Sequence, residues 1–144
     1  MTPTMPWQGK SVLIVDDAPL VRAQLQEVCL AQGLHVVGQA ENGLQALERY
    51  ELLKPNLVLL DILMGEMDGV ECYLRLQKKY SNCAVIFVSA LPQALMLNHR
   101  LPTALPESLF IRKPMTVEHL QQALQVLYPA MATASAPTSS AVAS

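Results

Sequence analysis

The sequence predicts an α/β fold, in which one doubly wound parallel sheet carries helices on both faces. Five short apolar runs are continuous rather than alternating, which is typical of parallel strands covered on both sides. Segments with helical periodicity separate them, and this alternation implies right-handed crossovers. The predicted strands are residues 12–15, 35–38, 57–60, 84–88 and 109–112.

The helices are predicted from apolar residues that recur at helical spacing. Before the last helix, Thr116 can cap the first turn with its hydroxyl. The four clearest stripes are Val21, Leu25, Val28 and Cys29; Gly43, Ala46, Leu47 and Tyr50; Val70, Tyr73, Leu74 and Gln77; and Val117, Leu120, Leu124 and Leu127.

The fourth helix is the least regular element. Pro92, Pro102 and Pro106 restrict any helix within residues 91–108 to its first turns. After Tyr128 the chain has no charged residue and few bulky ones, so it cannot offset the entropy of ordering. We therefore expect an extension at 1–10, one domain at 11–128 and a disordered tail or linker at 129–144.

Size and composition fit one globular domain, with 144 residues of which 51% are hydrophobic. The net charge is −2 and the basic residues are scattered, which disfavours binding of nucleic acid. The first ten residues do not form a signal peptide, and no apolar run is long enough to span a membrane. The three cysteines, Cys29, Cys72 and Cys83, are expected to be buried thiols of a cytoplasmic protein.

Polar residues follow four of the five predicted strands. Asp16 and Asp17 follow the first, Asp61 the third, Ser89 the fourth and Lys113 the fifth. The carboxyl ends of parallel strands meet at one edge of the sheet, where ligands bind. Each residue alone is commonly a cap, a turn former or a solvated charge. Their joint placement favours one site.

The chemistry of that site follows from its residue types. Carboxylates packed together repel unless a cation compensates them, and Mg²⁺ prefers such hard oxygen ligands. One carboxylate oxygen can then attack phosphorus and form an aspartyl phosphate. An ammonium group and a hydroxyl would stabilise the oxygens of the transferring phosphoryl group.

Four strings give the chain a specific resemblance to the receiver domain of two-component response regulators. They are VLIVDDAPLVR at 12–22, LVLLDILMGEMDG at 57–69, VIFVSA at 85–90 and FIRKPMTVEHL at 110–120. The resemblance covers residues 11–128. It implies a flavodoxin-like (βα)5 fold with strand order 2-1-3-4-5.

The resemblance also implies roles for the site residues. Asp61 would be the phosphoacceptor and would ligate Mg²⁺ together with Asp17 and the backbone carbonyl of Leu63, while Asp16 would act largely through a bound water. Lys113 would pair with the phosphoryl oxygens, ahead of a cis bond to the proline that follows it.

Ser89 and Phe110 would form the switch that reports phosphorylation, although a strand phenylalanine is often simply a core residue. The phosphoryl group would come from a sensor histidine kinase or a phosphotransfer protein. Output would pass through the fourth helix, fifth strand and fifth helix to a protein partner or to self-association, as in stand-alone receivers.

Departures from the family pattern are concentrated around two loops. Gly65 stands where proline is common, and the apolar Leu63 and Leu91 are expected to lengthen the phosphorylated lifetime. Five apolar residues precede the fifth strand, and one short helix cannot bury them all. We expect some of them to form an exposed patch that binds a partner. They are Leu95, Met96, Leu97, Leu101 and Leu105.

Three other functions were weighed against that of a phosphoacceptor, and each is less well supported by the sequence. A phosphohydrolase of the haloacid dehalogenase class would need a D-x-D-x-[TV] signature, which is absent. A receiver-like scaffold that is not phosphorylated would be expected to lack an acidic residue or the lysine. A flavodoxin-type cofactor site would need a phosphate-cradling loop, which DDAP does not supply. We therefore expect no enzyme activity beyond autophosphorylation from small phosphodonors and self-dephosphorylation.

Overall fold

The computed structural model describes residues 4–91 and 105–130. Within this part of the chain, one sheet contains five parallel strands in the order β2-β1-β3-β4-β5, which confirms the predicted fold and strand order. The strands are β1 Ser11–Val15, β2 His35–Ala40, β3 Leu57–Leu60, β4 Ala84–Ser89 and β5 Phe110–Arg112.

The described helices are α1 Pro19–Ala31, α2 Gly43–Leu53, α3 Gly69–Lys79 and a C-terminal helix, Val117–Leu127. Three of them begin at a side chain that accepts a hydrogen bond from a first-turn amide, and the capping residues are Asn42, Asp68 and Thr116. The cap predicted at Thr116 is thus confirmed. The fourth helix is predicted within residues 91–108, of which 92–104 lie outside the described part of the chain.

The sheet is buried on both faces, which explains why its strands are continuously apolar. Alternate residues of β1 point to opposite sides: Leu13 packs with residues of α2 and α3, whereas Ile14 packs with residues of α1 and the C-terminal helix. Full burial of one such aliphatic side chain stabilises the fold by about 1.5–3 kcal/mol. The helices on both faces therefore hold the strand ends in fixed positions.

Strand β2 is two residues longer than predicted. Gln39 and Ala40 continue its pairing with Ile14 and Val15, after a register shift in which Val12 pairs with Val36 and Leu13 with Gly38. Glycine is a weak strand former, so the local pattern predicted an end at Gly38. Pairing with the buried β1 overrides that preference.

Trp7 is a core residue that the sequence analysis did not identify. Its side chain is 1% exposed, and Nε1 donates a hydrogen bond to the carbonyl oxygen of Gln32 at 3.1 Å. The backbone amide of Gly9 also donates to the carbonyl of Gly33 at 2.8 Å. Residues 4–10 of the segment predicted as an extension at 1–10 therefore pack against the end of α1. Residues 131–144 of the predicted tail lie outside the described part.

The three cysteines are free and buried, as predicted. Burial raises the pKa of Cys29 to about 12, so this thiol stays protonated at neutral pH. Among the described helices, none combines the length and the apolar character that crossing a membrane requires.

Candidate functional site

Two carboxylates are held directly beyond the ends of neighbouring strands. The amide of Asp16 donates to the carbonyl of Ala40 at 3.0 Å, and the amide of Asp61 donates to the carbonyl of Val15 at 3.0 Å. These bonds continue the pairing of β1 with β2 and β3 by one residue. Both side chains are buried, with Asp16 0% and Asp61 4% exposed.

Asp17 completes an acidic cluster with them. One carboxylate oxygen from each of Asp16, Asp17 and Asp61 lies within 4.8 Å of the other two. Asp17 is exposed, and its side chain forms no hydrogen bond with the described residues. The structure thus brings together the three carboxylates that the sequence placed at one edge.

Lys113 supplies the counter-charge. Its Nζ lies 2.6 Å from Oδ2 of Asp16 and 3.4 Å from Oδ2 of Asp61. Its amide donates to the carbonyl of Ser89 at 2.8 Å, and the bond to Pro114 is cis, as the resemblance implied. Burial by itself lowers the pKa of Lys113, but the two carboxylates outweigh it and raise the pKa, so the ammonium group is charged.

The pKa of Asp61 is raised by its surroundings. Burial, and then the nearby charge of Asp16, raise the pKa of Asp61 from 3.8 to about 6, although Lys113 acts in the opposite direction. In the absence of a cation, the ionised form of this carboxylate is therefore disfavoured. A divalent cation beside it would remove that penalty.

The donor set fits a hard divalent cation such as Mg²⁺. Oδ1 of Asp16 accepts from the amide of Ala18 at 2.9 Å, whereas Oδ2 is fully buried and has no hydrogen bond. The ion pair of Oδ2 with Lys113 is close in distance but lacks hydrogen-bond geometry. A buried oxygen left in this state, beside two further carboxylates, suits oxygen-coordinated Mg²⁺. Leu63, whose carbonyl is a further predicted ligand, lies in the loop after β3 with its side chain 56% exposed.

Ser89 is the last residue of β4 rather than the residue after it. Its side chain is fully buried, and Oγ accepts a hydrogen bond from the amide of Leu91 at 3.2 Å. Because β4 lies next to β3, Ser89 and Asp61 end neighbouring strands.

Phe110 begins β5 and packs into the core. Its ring stacks on Phe87 with centroids 5.3 Å apart, and Phe87 in turn meets Tyr73 edge to face at 5.3 Å. Leu91 and Leu105 pack against the same cluster, each partly buried. The other predicted patch residues, Leu95, Met96, Leu97 and Leu101, lie outside the described residues.

Two residues that contact the backbone of the site were not identified from the sequence. A Cβ added to Gly69 would lie 2.0 Å from the carbonyl oxygen of Asp61, so this position has no room for a side chain. Arg22 donates through Nη1 to the carbonyl of Asp16 at 2.6 Å. Both residues lie within the sequence strings that resemble the receiver family, and that position could have singled them out. Their contacts, however, depend on the folded backbone.

Comparison with known proteins shows relatives that match most of the chain. The family model described as response regulator receiver domain matches residues 12–125. The chemotaxis protein CheY of Thermotoga maritima is 37% identical over 116 residues, which cover 81% of this chain and 95% of that protein. CheY of Bacillus subtilis is 34% identical over 113 residues, covering 78% and 92%.

Solved structures give the same result. A complex of CheX, CheY, BeF3 and Mg²⁺ from Borrelia burgdorferi matches with a TM-score of 0.71 and 29% identity, covering 83% of this chain and 90% of that one. The response regulator TrrA of Thermotoga maritima, bound to Mg²⁺ and BeF, matches with a TM-score of 0.69 and 26% identity, covering 82% and 98%.

Phosphorylation and binding of Mg²⁺ at an acidic pocket are typical of these proteins, which are not enzymes in the usual sense. The fold, the acidic cluster and the similarity over most of the sequence agree. The chain therefore belongs to the response regulator receiver domain family and is a receiver domain of the CheY type.

Proposed function

We propose that Asp61 accepts a phosphoryl group from a sensor histidine kinase or a phosphotransfer protein. The observation that carries this proposal is the position of Lys113 Nζ, 2.6 Å from Asp16 and 3.4 Å from Asp61. An ammonium group placed there can neutralise charge that arrives on Asp61. It contacts Asp16 more closely, so it does not block both oxygens of the acceptor.

Asp16, Asp17, Asp61 and the backbone carbonyl of Leu63 would hold Mg²⁺ in this site. When bound, Mg²⁺ supplies positive charge to the acceptor carboxylate and to the phosphoryl oxygens. The raised pKa of Asp61 supports this assignment, because a carboxylate that is costly to ionise alone gains most from a cation.

The transfer itself is a displacement at phosphorus. A carboxylate oxygen of Asp61 forms the new P–O bond, while the bond from phosphorus to the donor's imidazole nitrogen breaks and its electron pair stays on that nitrogen. Lys113 pairs with the oxygens of the transferred group. The hydroxyl of Ser89, which lies at the end of the neighbouring strand, donates to one of them.

Ser89 and Phe110 would then report the change. Ser89 Oγ accepts from the Leu91 amide at 3.2 Å, and it would give up this bond on turning toward the phosphoryl group. Phe110 would move with it along the stack with Phe87. The altered surface would comprise the fourth helix, β5 and the C-terminal helix, and it would bind a protein partner or a second copy in the cytoplasm. CheY of Borrelia burgdorferi has been solved in a complex with another protein, CheX.

Acetyl phosphate with Mg²⁺ tests phosphorylation directly. Intact mass should rise by one phosphoryl group in the wild type and not in Asp61→Asn. Glu118→Gln is the matched control, because it removes an exposed carboxylate from the start of the C-terminal helix. Its mass should rise as in the wild type. Labelling that persists in Asp61→Asn would move the acceptor elsewhere.

A scaffold that works without phosphorylation is distinguished by beryllofluoride, which mimics the phosphoryl group. If phosphorylation alters the surface, small-angle scattering or partner affinity should change when beryllofluoride and Mg²⁺ are added. An unlabelled wild type with no response to beryllofluoride would favour the scaffold.

A further inference from the structure

Arg22, in the first turn of α1, contacts the loop of residues 16–18 between β1 and α1, which we call the acidic loop. Its Nη1 donates to the carbonyl oxygen of Asp16 at 2.6 Å, and its Nε donates to Oε1 of Gln39 at 3.0 Å. The amide nitrogen of Gln39 donates in turn to Oε1 of Gln26 at 2.6 Å. The guanidinium group is therefore fixed between the loop and β2, and Gln26 fixes the β2 side.

The carbonyl that Arg22 holds belongs to the peptide joining Asp16 to Asp17. The rest of Asp16 is fixed by other groups: its amide bonds to Ala40 and its Oδ1 accepts from Ala18. The carboxylate of Asp17 has no hydrogen bond with the described residues. Rotation of this one peptide would displace Asp17 from its neighbours, and Arg22 opposes that rotation.

We infer that Arg22 is a positioning residue for Mg²⁺ binding, which acts by orienting the Asp16–Asp17 peptide. The inference rests on the proposed Mg²⁺ site. Arg22 bonds to a main-chain carbonyl, so its role differs from that of a ligand. Groups that orient metal ligands in this way typically change metal affinity by about 10–100-fold.

The charge of Arg22 and its position have opposite effects on a cation. A guanidinium charge near the site repels Mg²⁺, so removal of the charge alone would tighten binding. Loss of the carbonyl contact would loosen Asp17 and weaken binding. The sign of the change therefore separates the two effects.

Two substitutions of Arg22 test this inference. Arg22→Lys keeps the charge but cannot donate to two partners as a planar group, and Arg22→Met removes the charge as well. Arg49→Met is the matched control. Arg49 lines the same cleft of about 190 Å³, but it donates to the carbonyl of Gln39 and to Oε1 of Gln45 instead of to the loop.

The measurement is the Mg²⁺ dissociation constant by calorimetry, repeated with Mn²⁺ by electron paramagnetic resonance. Both Arg22 variants should bind about tenfold more weakly, and Arg49→Met should stay within about twofold of the wild type. Tighter binding by Arg22→Met with unchanged Arg22→Lys would show that only charge matters, and would overturn the inference.

A double-mutant cycle locates the effect at Asp17. Arg22→Lys should weaken Mg²⁺ binding much less in an Asp17→Asn background than in the wild type, because the two residues act through one peptide. Additive losses would overturn the inference. So would a lower maximal rate of phosphorylation by acetyl phosphate with an unchanged half-saturating Mg²⁺ concentration, which indicates damage to the fold.

The wild type separates this inference from the proposed function. If it binds Mg²⁺ and is phosphorylated while the Arg22 variants bind equally well, only the role of Arg22 is overturned. If the wild type does not bind Mg²⁺, both are overturned.

Discussion

The ammonium nitrogen of Lys113 lies 2.6 Å from Oδ2 of Asp16, an oxygen with no hydrogen bond. The side chain of Asp16 is fully buried, whereas that of Lys113 is 20% exposed to solvent. Lys113 therefore compensates a carboxylate that cannot reach water, in addition to facing the proposed acceptor. This ion pair would make the proposed phosphorylation site part of the protein's stability as well.

Removal of that charge should destabilise the metal-free protein. Lys113→Met leaves Asp16 buried without a counter-charge, and we expect the free energy of unfolding to fall by about 2 kcal/mol. Urea denaturation in the presence of EDTA at neutral pH measures this value. The exposed Lys78 provides the control, and Lys78→Met should leave stability unchanged. Equal stability of the two variants would contradict the proposed role of the ion pair.

Mg²⁺ should stabilise the protein more at high pH than at low pH. The pKa of Asp61 in the folded metal-free protein, about 6, exceeds its ordinary value of 3.8. The contribution of Asp61 to stability is thus complete below about pH 4 and is lost as pH rises through about 6. At the proposed site, Mg²⁺ would bind the ionised form of Asp61 and reverse this loss.

The measurement is the shift in melting temperature on adding Mg²⁺, at about pH 5 and about pH 7.5. The shift should be larger at the higher pH in the wild type. In Asp61→Asn the pH dependence should be much reduced. A wild-type shift that is equal at both pH values would contradict the titration assigned to Asp61.

A side chain at Gly69 should disturb the site through the backbone. The Cβ of Gly69→Ala would lie 2.0 Å from the carbonyl oxygen of Asp61, and the chain must move to relieve the contact. We expect a loss of about 2–4 kcal/mol in the free energy of unfolding, together with weaker Mg²⁺ binding.

Gly65→Ala is the control for this loop. A Cβ at Gly65 would meet no atom within 4 Å, so the substitution should not lower stability. Chemical denaturation of both variants gives the comparison. A stable Gly69→Ala variant with normal Mg²⁺ affinity would show that the backbone adapts without cost.

The buried Trp7 predicts that the N-terminal segment stabilises the domain without acting on the site. Trp7→Ala should lower the free energy of unfolding by about 3–5 kcal/mol, because it leaves a large cavity. Trp7→Phe should lose less, since it keeps most of the apolar volume. Both variants should bind Mg²⁺ with wild-type affinity while folded, because Trp7 contacts the C-terminal end of α1 at Gln32. A Trp7→Ala variant as stable as the wild type would show that the segment is dispensable.

Local patterns in the sequence were sufficient for the fold class and for the acidic cluster. Continuous apolar runs indicate parallel strands because burial on both faces removes alternation, and Asp16, Asp17 and Asp61 follow two of those runs directly. The end of β2 was predicted less well, because pairing with β1 extends the strand beyond the weak strand former Gly38, through Gln39 and Ala40.

The sequence by itself therefore determined which polar residues follow each strand and which chemical groups, carboxylates, a hydroxyl and an ammonium, meet at that edge of the sheet. Only the tertiary structure decided that Lys113 lies nearer to Asp16 than to Asp61. It also decided that Gly69 lies against the carbonyl of Asp61 and that Arg22 donates a hydrogen bond to the carbonyl of Asp16. The physical reason is the separation in sequence between the residues that interact. Strand and helix periodicity arise between near neighbours in the chain, whereas these contacts join segments that approach one another only when the core packs.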